Sequence, residues 1–247
     1  PTNPVEAGRA WWPGQAPDEE STAESAAAAF HGPAYPESGD DPTYAYLSYG
    51  GLGMVTADVS DPTNPEFVHN LSFGDVGRTR IANHSAVRQP GTDVVWTSSE
   101  AIFEGYEERW TYVFGVDKGE PEGEHVISVL PTPTPEPGLP YDNYFEKGGR
   151  FGPHNQHHYQ YNDDYYRPDD VLAHTWFNAG LRLFDVSEPY APKEVGYYVP
   201  EDPTERLGSK PTGQLVTQTE DVIIDARGYT YITHKNQGIH ILESPLL

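Results

Sequence analysis

Three short stretches of this sequence combine histidine with carboxylate or amide side chains, the groups that hold transition metals in proteins. They are residues 83–85, 153–158 and 220–221. Their candidate ligands are His84, His154, His157, His158, Glu220 and Asp221. Neutral imidazoles and carboxylates bind copper, iron, zinc and manganese. Each stretch falls in the first predicted strand of a unit, so we expect the three to face one axis.

Strand geometry limits which of these side chains can share an ion. Residues 154, 156 and 158 lie on one face of a strand and residue 155 on the other. At about 3.3 Å per residue, His154 and His158 are roughly 13 Å apart, too far to chelate one ion. We therefore predict one histidine per strand, with acids from the last unit. The predicted ligands are His84, His154, His157, Glu220 and Asp221.

A histidine that binds no metal can move protons near neutral pH. We predict this catalytic role for His157, His158 and His174. The alternative for each histidine is structural, because a buried imidazole often donates to a carbonyl or packs between strands. His174 in particular lies close to a glycine turn, where we expect a supporting, substrate-facing or structural role more than a direct one.

A repeat supplies the strands that must position these groups. Residues 178–192 read Asn-Ala-Gly-Leu-Arg-Leu-Phe-Asp-Val-Ser-Glu-Pro-Tyr-Ala-Pro, and residues 58–65 and 236–243 repeat parts of that pattern. The recurring Asp58 and Asp185 should accept hydrogen bonds at the Ser-x-Pro corner. Repeats of this kind indicate stacked copies of one unit.

The spacing of strands and turns predicts an all-β fold, a β-propeller of four-stranded antiparallel blades with about four blades in this chain. The blades should occupy residues 43–247. Residues 1–42 should form an irregular arm with one short helix near residues 22–30, after a capping-box pattern at residues 21–24. Trp11 and Trp12 should pin this arm to the body or to a partner.

The repeat resembles the LVIVD-repeat family of β-propellers over roughly residues 43–245. Such propellers have about seven blades, so the resemblance implies that a second chain, a cleaved N-terminal half or a symmetry mate completes a larger propeller. The architecture is also distantly similar to the selenium-binding and methanethiol oxidase group, whose members hold copper with histidines. No residue-by-residue match to that group is present.

Composition excludes several classes of protein. A net charge of −23 argues against a nucleic-acid partner, because phosphate binding needs clustered Lys and Arg. No apolar stretch approaches the roughly 18 residues of a membrane span. Acidity and scarce lysine favour a secreted or periplasmic protein, or one from a salt-adapted organism. Because the sequence begins at Pro1 and has Met54 as its one methionine, we expect a processed product or a piece of a longer chain.

These observations predict a metal-binding propeller that acts as a metal-dependent enzyme on a small organic substrate at the channel mouth. The reaction class stays open between oxidoreductase and lyase or hydrolase, and the ion between copper, iron, zinc and manganese. The alternative is a non-catalytic secreted propeller whose loops bind a protein or carbohydrate partner.

Overall fold

The structure is a computed structural model that describes residues 3–23, 28–73, 81–105 and 111–247. Within these residues the chain forms four antiparallel sheets, here called blades 1 to 4. Blade 1 contains β1 (Ala28–Pro36), β2 (Tyr44–Gly50), β3 (Met54–Asp58) and β4 (Glu66–Leu71). Blade 2 contains β5 (Ile81–Arg88), β6 (Val94–Glu100), β7 (Val113–Asp117) and β8 (His125–Val129). Blade 3 contains β9 (Val171–Thr175), β10 (Leu181–Asp185) and β11 (Lys193–Tyr198), and blade 4 contains β12 (Thr219–Ile224), β13 (Tyr229–His234) and β14 (Gly238–Glu243).

This architecture confirms the predicted all-β propeller with four blades in the chain. The helices whose bounds lie in the described residues are α1 (Tyr144–Lys147) and two short 3-10 turns at Pro121–Gly123 and Phe177–Ala179. None of the described helices is long and apolar enough to cross a membrane.

The inner position of blade 3 is filled by an irregular segment rather than a regular strand. The amide of His154 donates to the carbonyl of Thr175, and that of His157 to Ala173, both at 2.9 Å. Gln156 forms an isolated antiparallel bridge with His174. Blade 3 therefore contains three regular strands, and blade 4 also contains three. The sequence predicted four strands in each blade.

The N-terminal arm differs from its prediction. Residues 28–36 form β1 and pair with β2, from Ala28 opposite Gly50 to Pro36 opposite Ala45. Of the helix expected near residues 22–30, Ala23 is helical, residues 24–27 lie outside the described part, and residues 28–30 belong to β1, where the prediction is wrong. Pairing with the open edge of β2 outweighs the helix propensity of the alanine run. Of the two tryptophans predicted to pin the arm, Trp12 packs against Tyr49 of blade 1, with ring centroids 6.0 Å apart, whereas Trp11 is 45% exposed.

Successive blades are held together by apolar clusters between their faces. Tyr46, Met54 and Val95 are buried between blades 1 and 2. Trp96, Trp176 and Phe184 fill the space between blades 2 and 3, and Leu183, Ile224 and Ile232 that between blades 3 and 4. This stacking brings the inner strands together around one axis.

The repeated aspartates cap the corners that follow β3 and β10. The Oδ1 atom of Asp58 accepts from the amide and the hydroxyl of Ser60 at 2.9 and 2.6 Å. Asp185 accepts from Ser187 in the same way, at 3.0 and 2.6 Å. The predicted hydrogen bonds at the Ser-x-Pro corner are confirmed.

The glycine of the repeat gives a stability prediction with an internal control. Gly180 and Gly238 share a repeat position and have φ values of +80° and +77°. A Cβ at Gly180 would lie 2.2 Å from the carbonyl oxygen of Tyr198, whereas one at Gly238 would meet nothing within 4 Å. Gly238→Ala should lower the free energy of unfolding by about 1–2 kcal/mol, from backbone strain alone. Gly180→Ala should cost about 1–3 kcal/mol more, because the clash is added. Urea unfolding measures both, and equal losses would contradict the assignment.

Candidate metal centre

Three side chains at the inner edge of blades 1 and 2 converge on one point. They are His31 on β1, His84 on β5 and Glu100 at the end of β6, and one ligand atom of each lies within 4.8 Å of the others. The Oε2 atom of Glu100 is 3.4 Å from Nε2 of His84 and 3.7 Å from Nε2 of His31. Bonds of about 2.1 Å around a tetrahedral ion place neighbouring ligand atoms about 3.4 Å apart. The observed spacing therefore fits a small transition-metal ion.

Local backbone features bring these residues together. The pairing of β5 with β6 is irregular between Ile81 and Ser85, and this break lies where His84 and Glu100 approach each other. On β1, Gly32 has a φ of +71°, and a Cβ there would lie 2.6 Å from the carbonyl oxygen of His84. Glycine thus permits β1 to approach β5 so closely that the rings of His31 and His84 are 4.5 Å apart.

His154 of blade 3 borders this group. Its Nε2 atom is 3.6 Å from Oε1 of Glu100, and its ring centroid is 4.7 Å from that of His84. Its Nδ1 atom donates to the carbonyl oxygen of Glu220 at 2.7 Å. Because that hydrogen bond holds the proton on Nδ1, the lone pair of Nε2 faces Glu100, as in histidines that ligate metals.

The electrostatic surroundings keep the imidazoles neutral. Burial, which is the largest cause, together with the nearby His154 and His31 lowers the pKa of His84 to about 2. Burial also lowers the pKa values of His31 and His154. Neutral imidazole is the form that binds a metal. The Nδ1 atoms of His84 and His31 are buried and have no hydrogen-bond partner among the described residues.

Arg150 supplies the positive charge beside Glu100. Its Nη1 atom is 3.3 Å from Oε1 of Glu100, and its Nη2 atom donates to Oε1 of Glu220 at 2.7 Å. The guanidinium carbon lies 3.8 Å from the centroid of the Phe177 ring. Arg150 therefore balances two carboxylates that the fold holds at the centre of the blades.

Of the predicted metal ligands, His84 belongs to the group of mutually close atoms and His154 borders it, whereas Glu220, Asp221 and His157 have other partners. Glu220 is paired with Arg150 and lies 3.4 Å from Nζ of Lys235. The Oδ1 atom of Asp221 accepts from the side-chain amide of Asn155. Both ring nitrogens of His157 are hydrogen-bonded to the main chain, Nε2 to the carbonyl of Tyr166 at 2.6 Å and Nδ1 to the amide of Ile224 at 3.1 Å.

The other two predicted catalytic histidines have different surroundings. His174 is fully buried, and its Nδ1 atom donates to the carbonyl of Thr175 at 3.0 Å. The Nδ1 atom of His158 accepts from the amide of Gln160 at 3.0 Å. Its ring lies 4.7 Å from that of Tyr35, at the edge of a cleft beside β1.

Sequence reasoning missed His31 and Glu100. His31 falls in residues 1–42, which the sequence predicts as an irregular arm, and Glu100 belongs to none of the three histidine-containing stretches. One signal was available for Glu100, because β6 is a run of buried residues that ends in a carboxylate. An acid on a buried strand needs a partner, which makes it a site candidate.

Comparison with known proteins supports the repeat. Residues 41–72, which span β2 to β4 of blade 1, match the LVIVD repeat family model. No curated protein sequence matches the chain. Among solved structures, the β-propeller domain of Myceliophteria thermophila Cps50 (Swd1) is similar, with 11% identity and a TM-score of 0.36 over 83% of this chain and 71% of that one.

Proposed function

We propose that this β-propeller binds one divalent transition-metal ion through His31, His84 and Glu100, with His154 beside them as a supporting residue. The observation that carries the proposal is the convergence of three ligand atoms at metal-like separations in a largely buried, neutral-imidazole environment. A donor set of imidazole and carboxylate suits zinc, copper, iron or manganese.

We further propose that the ion serves a metal-dependent enzyme, an oxidoreductase or a lyase or hydrolase, acting on a small organic substrate. Three protein ligands leave a coordination position open, as catalytic sites do. The side chain of His31 is 37% exposed, which gives the group an approach from solvent. Of the predicted catalytic residues His157, His158 and His174, His158 borders a cleft, and we propose that its neutral imidazole accepts a proton there.

The direct test is metal content. Protein dialysed against chelator and titrated with Zn²⁺, Cu²⁺, Fe²⁺ or Mn²⁺ should take up about one equivalent of at least one ion. Elemental analysis after gel filtration measures it. Uptake of far less than one equivalent of every ion would contradict the proposal. The histidines would then have only packing and hydrogen-bonding roles.

A second candidate function is association through the outer faces of the end blades. On blade 4, Ile239 and Ile241 are 66% and 63% exposed on the face turned away from blade 3. On blade 1, an apolar cavity of about 660 Å³ remains between the arm and the face that carries Leu47 and Phe67. Inside the chain, apolar sheet faces of this kind are buried wherever two successive blades pack against each other. We propose that further propeller blades, from a second chain or a cleaved N-terminal half, cover these two, and that the acidic protein is secreted or periplasmic.

Association predicts a particle larger than the 27.4 kDa chain. Light scattering should show this assembly for the wild type, and Ile241→Lys should dissociate it, because a charge would be buried in an apolar contact. Val129→Lys is the matched control, since Val129 is 52% exposed on β8, away from the end faces. A stable wild-type monomer at low concentration would contradict the proposal.

A further inference from the structure

A small polar cleft lies beside the metal candidate, where β1, the inner segment of blade 3 and β12 meet. Its volume is about 230 Å³. The lining includes Tyr35, Asn155, Gln156, His158, Asp221 and Ile223. The side-chain nitrogen of Asn155 is 3.3 Å from Nδ1 of His154, so the cleft and the metal candidate are one residue apart along the same segment.

Gln156 marks the cleft as a binding site. The residue is 7% exposed, and its Oε1 atom is buried with no hydrogen-bond partner among the described residues. A buried acceptor without a donor is costly, so native proteins rarely leave one unused. Because Gln156 lines the cleft, a ligand N–H or O–H group that reaches its side-chain amide would satisfy this acceptor.

The charges around the cleft select the ligand further. Asp221 provides an exposed carboxylate, and the lining contains neither lysine nor arginine. His158 is neutral at pH 7, because burial lowers its pKa to about 4. The Tyr35 ring adds an aromatic surface that attracts cations. Burial and the charge of Asp221 raise the pKa of Tyr35, so this phenol keeps its proton.

We propose that this cleft binds a small primary amine in its ammonium form, through N–H bonds to Gln156 and Asp221 and contact with Tyr35. Resting on the proposed function, such an amine is the substrate class of the metal-dependent enzyme. The cleft is smaller than the roughly 300 Å³ at which drug-sized sites begin, so the ligand has only a few heavy atoms.

The test uses tert-butylammonium as probe, with tert-butyl alcohol as its neutral counterpart and acetate as the anion control. Binding is followed by ligand-observed NMR and calorimetry on protein freed of metal by chelator. The ammonium ion should bind saturably, and the alcohol and acetate should bind at least about tenfold more weakly, since neither supplies both positive charge and N–H donors. Equal binding of the alcohol would overturn the proposal.

Variants locate the site. Asp221→Asn and Gln156→Leu should each weaken ammonium binding by about tenfold or more. Glu188→Gln is the matched charge control, because Glu188 is exposed at the corner between β10 and β11, and it should bind like the wild type. Asp221→Asn changes an exposed side chain and keeps an oxygen that can accept from Asn155, so the test remains valid if Gln156→Leu fails to fold. Equal affinities for Asp221→Asn and Glu188→Gln would refute the assignment.

Metal and amine binding are separable in these measurements. His84→Ala, which removes a proposed ligand, should leave ammonium binding to the metal-free protein within about twofold, because His84 does not line the cleft. A protein that binds metal but not the ammonium ion would refute only the amine site. One that binds the ammonium ion but no metal would uphold the amine site and refute the proposed function.

Discussion

His84→Ala should strip the bound ion from this protein, lowering metal affinity by more than about 100-fold. The reason is that the ion loses one of three close ligands, a larger change than the 10–100-fold typical of removing a supporting residue. His31→Ala and Glu100→Gln should act in the same way, because each supplies another ligand atom of the group. Elemental analysis after identical dialysis provides the measurement.

His240→Ala is the control for this series. His240 lies on β14, hydrogen-bonded to the hydroxyl of Tyr198 and far along the blade from the inner strands. Its replacement should leave metal content unchanged. If the His84 and His240 variants retained the same metal, the assignment of the centre would fail.

The same measurement separates the proposed centre from the wider ligand set predicted from sequence. Replacing Glu220, Asp221 or His157 should leave the ion in place, because their side chains have the other partners described above. His154→Ala should weaken binding by at least 10–100-fold, since its ring nitrogen faces Glu100. Loss of the ion on replacing Asp221 would favour the sequence-based set instead.

Arg150→Met should lower the free energy of unfolding by about 3–5 kcal/mol, the cost of leaving buried charge uncompensated. The arginine side chain is 8% exposed and contacts Glu100 and Glu220, whose side chains are 7% and 13% exposed. Urea unfolding in chelator measures the loss without interference from metal. Arg150→Met with Glu100→Gln should recover part of it, because the double variant removes one of the stranded charges.

Arg167→Met is the matched control for Arg150. Arg167 pairs with Asp169 at 2.7 Å, but both side chains are more than half exposed. Surface pairs of this kind contribute about 0–1 kcal/mol. Similar losses for the two arginine variants would show that Arg150 is not balancing buried carboxylates.

The fold could be predicted because its determinants are local. The glycine turn at Gly180 and the aspartate corner at Asp185 each depend on a few adjacent residues, so their recurrence along the sequence reports the blade directly. The strand at residues 28–36 escaped prediction, because alanine-rich segments favour helix when considered alone. Pairing with β2 decides its structure, and that pairing is a tertiary contact.

The centre was only partly predictable for a related reason. His84 was recognised from its residue type and position on an inner strand, and His154 likewise. Whether Glu100 approaches His84 depends on the break in register near Ser85. His31 reaches the group because Gly32 lets two backbones approach. Register shifts and close approaches of this kind leave no periodic pattern in a sequence.

The proposed ligands His31 and His84 are about 50 residues apart in the chain and lie on strands of different blades. An unfolded chain does not hold such distant groups together, so the free energy of binding the ion adds to folding. Separation of β1 from β2 would remove His31 from the site and release the ion. The bound metal therefore stabilises β1 against local unfolding. At a free-ion concentration 100 times the Kd, opening becomes about 2.7 kcal/mol harder. Amide protons of β1 would then exchange with solvent roughly 100-fold more slowly, so hydrogen exchange at this one strand reports occupancy of the centre.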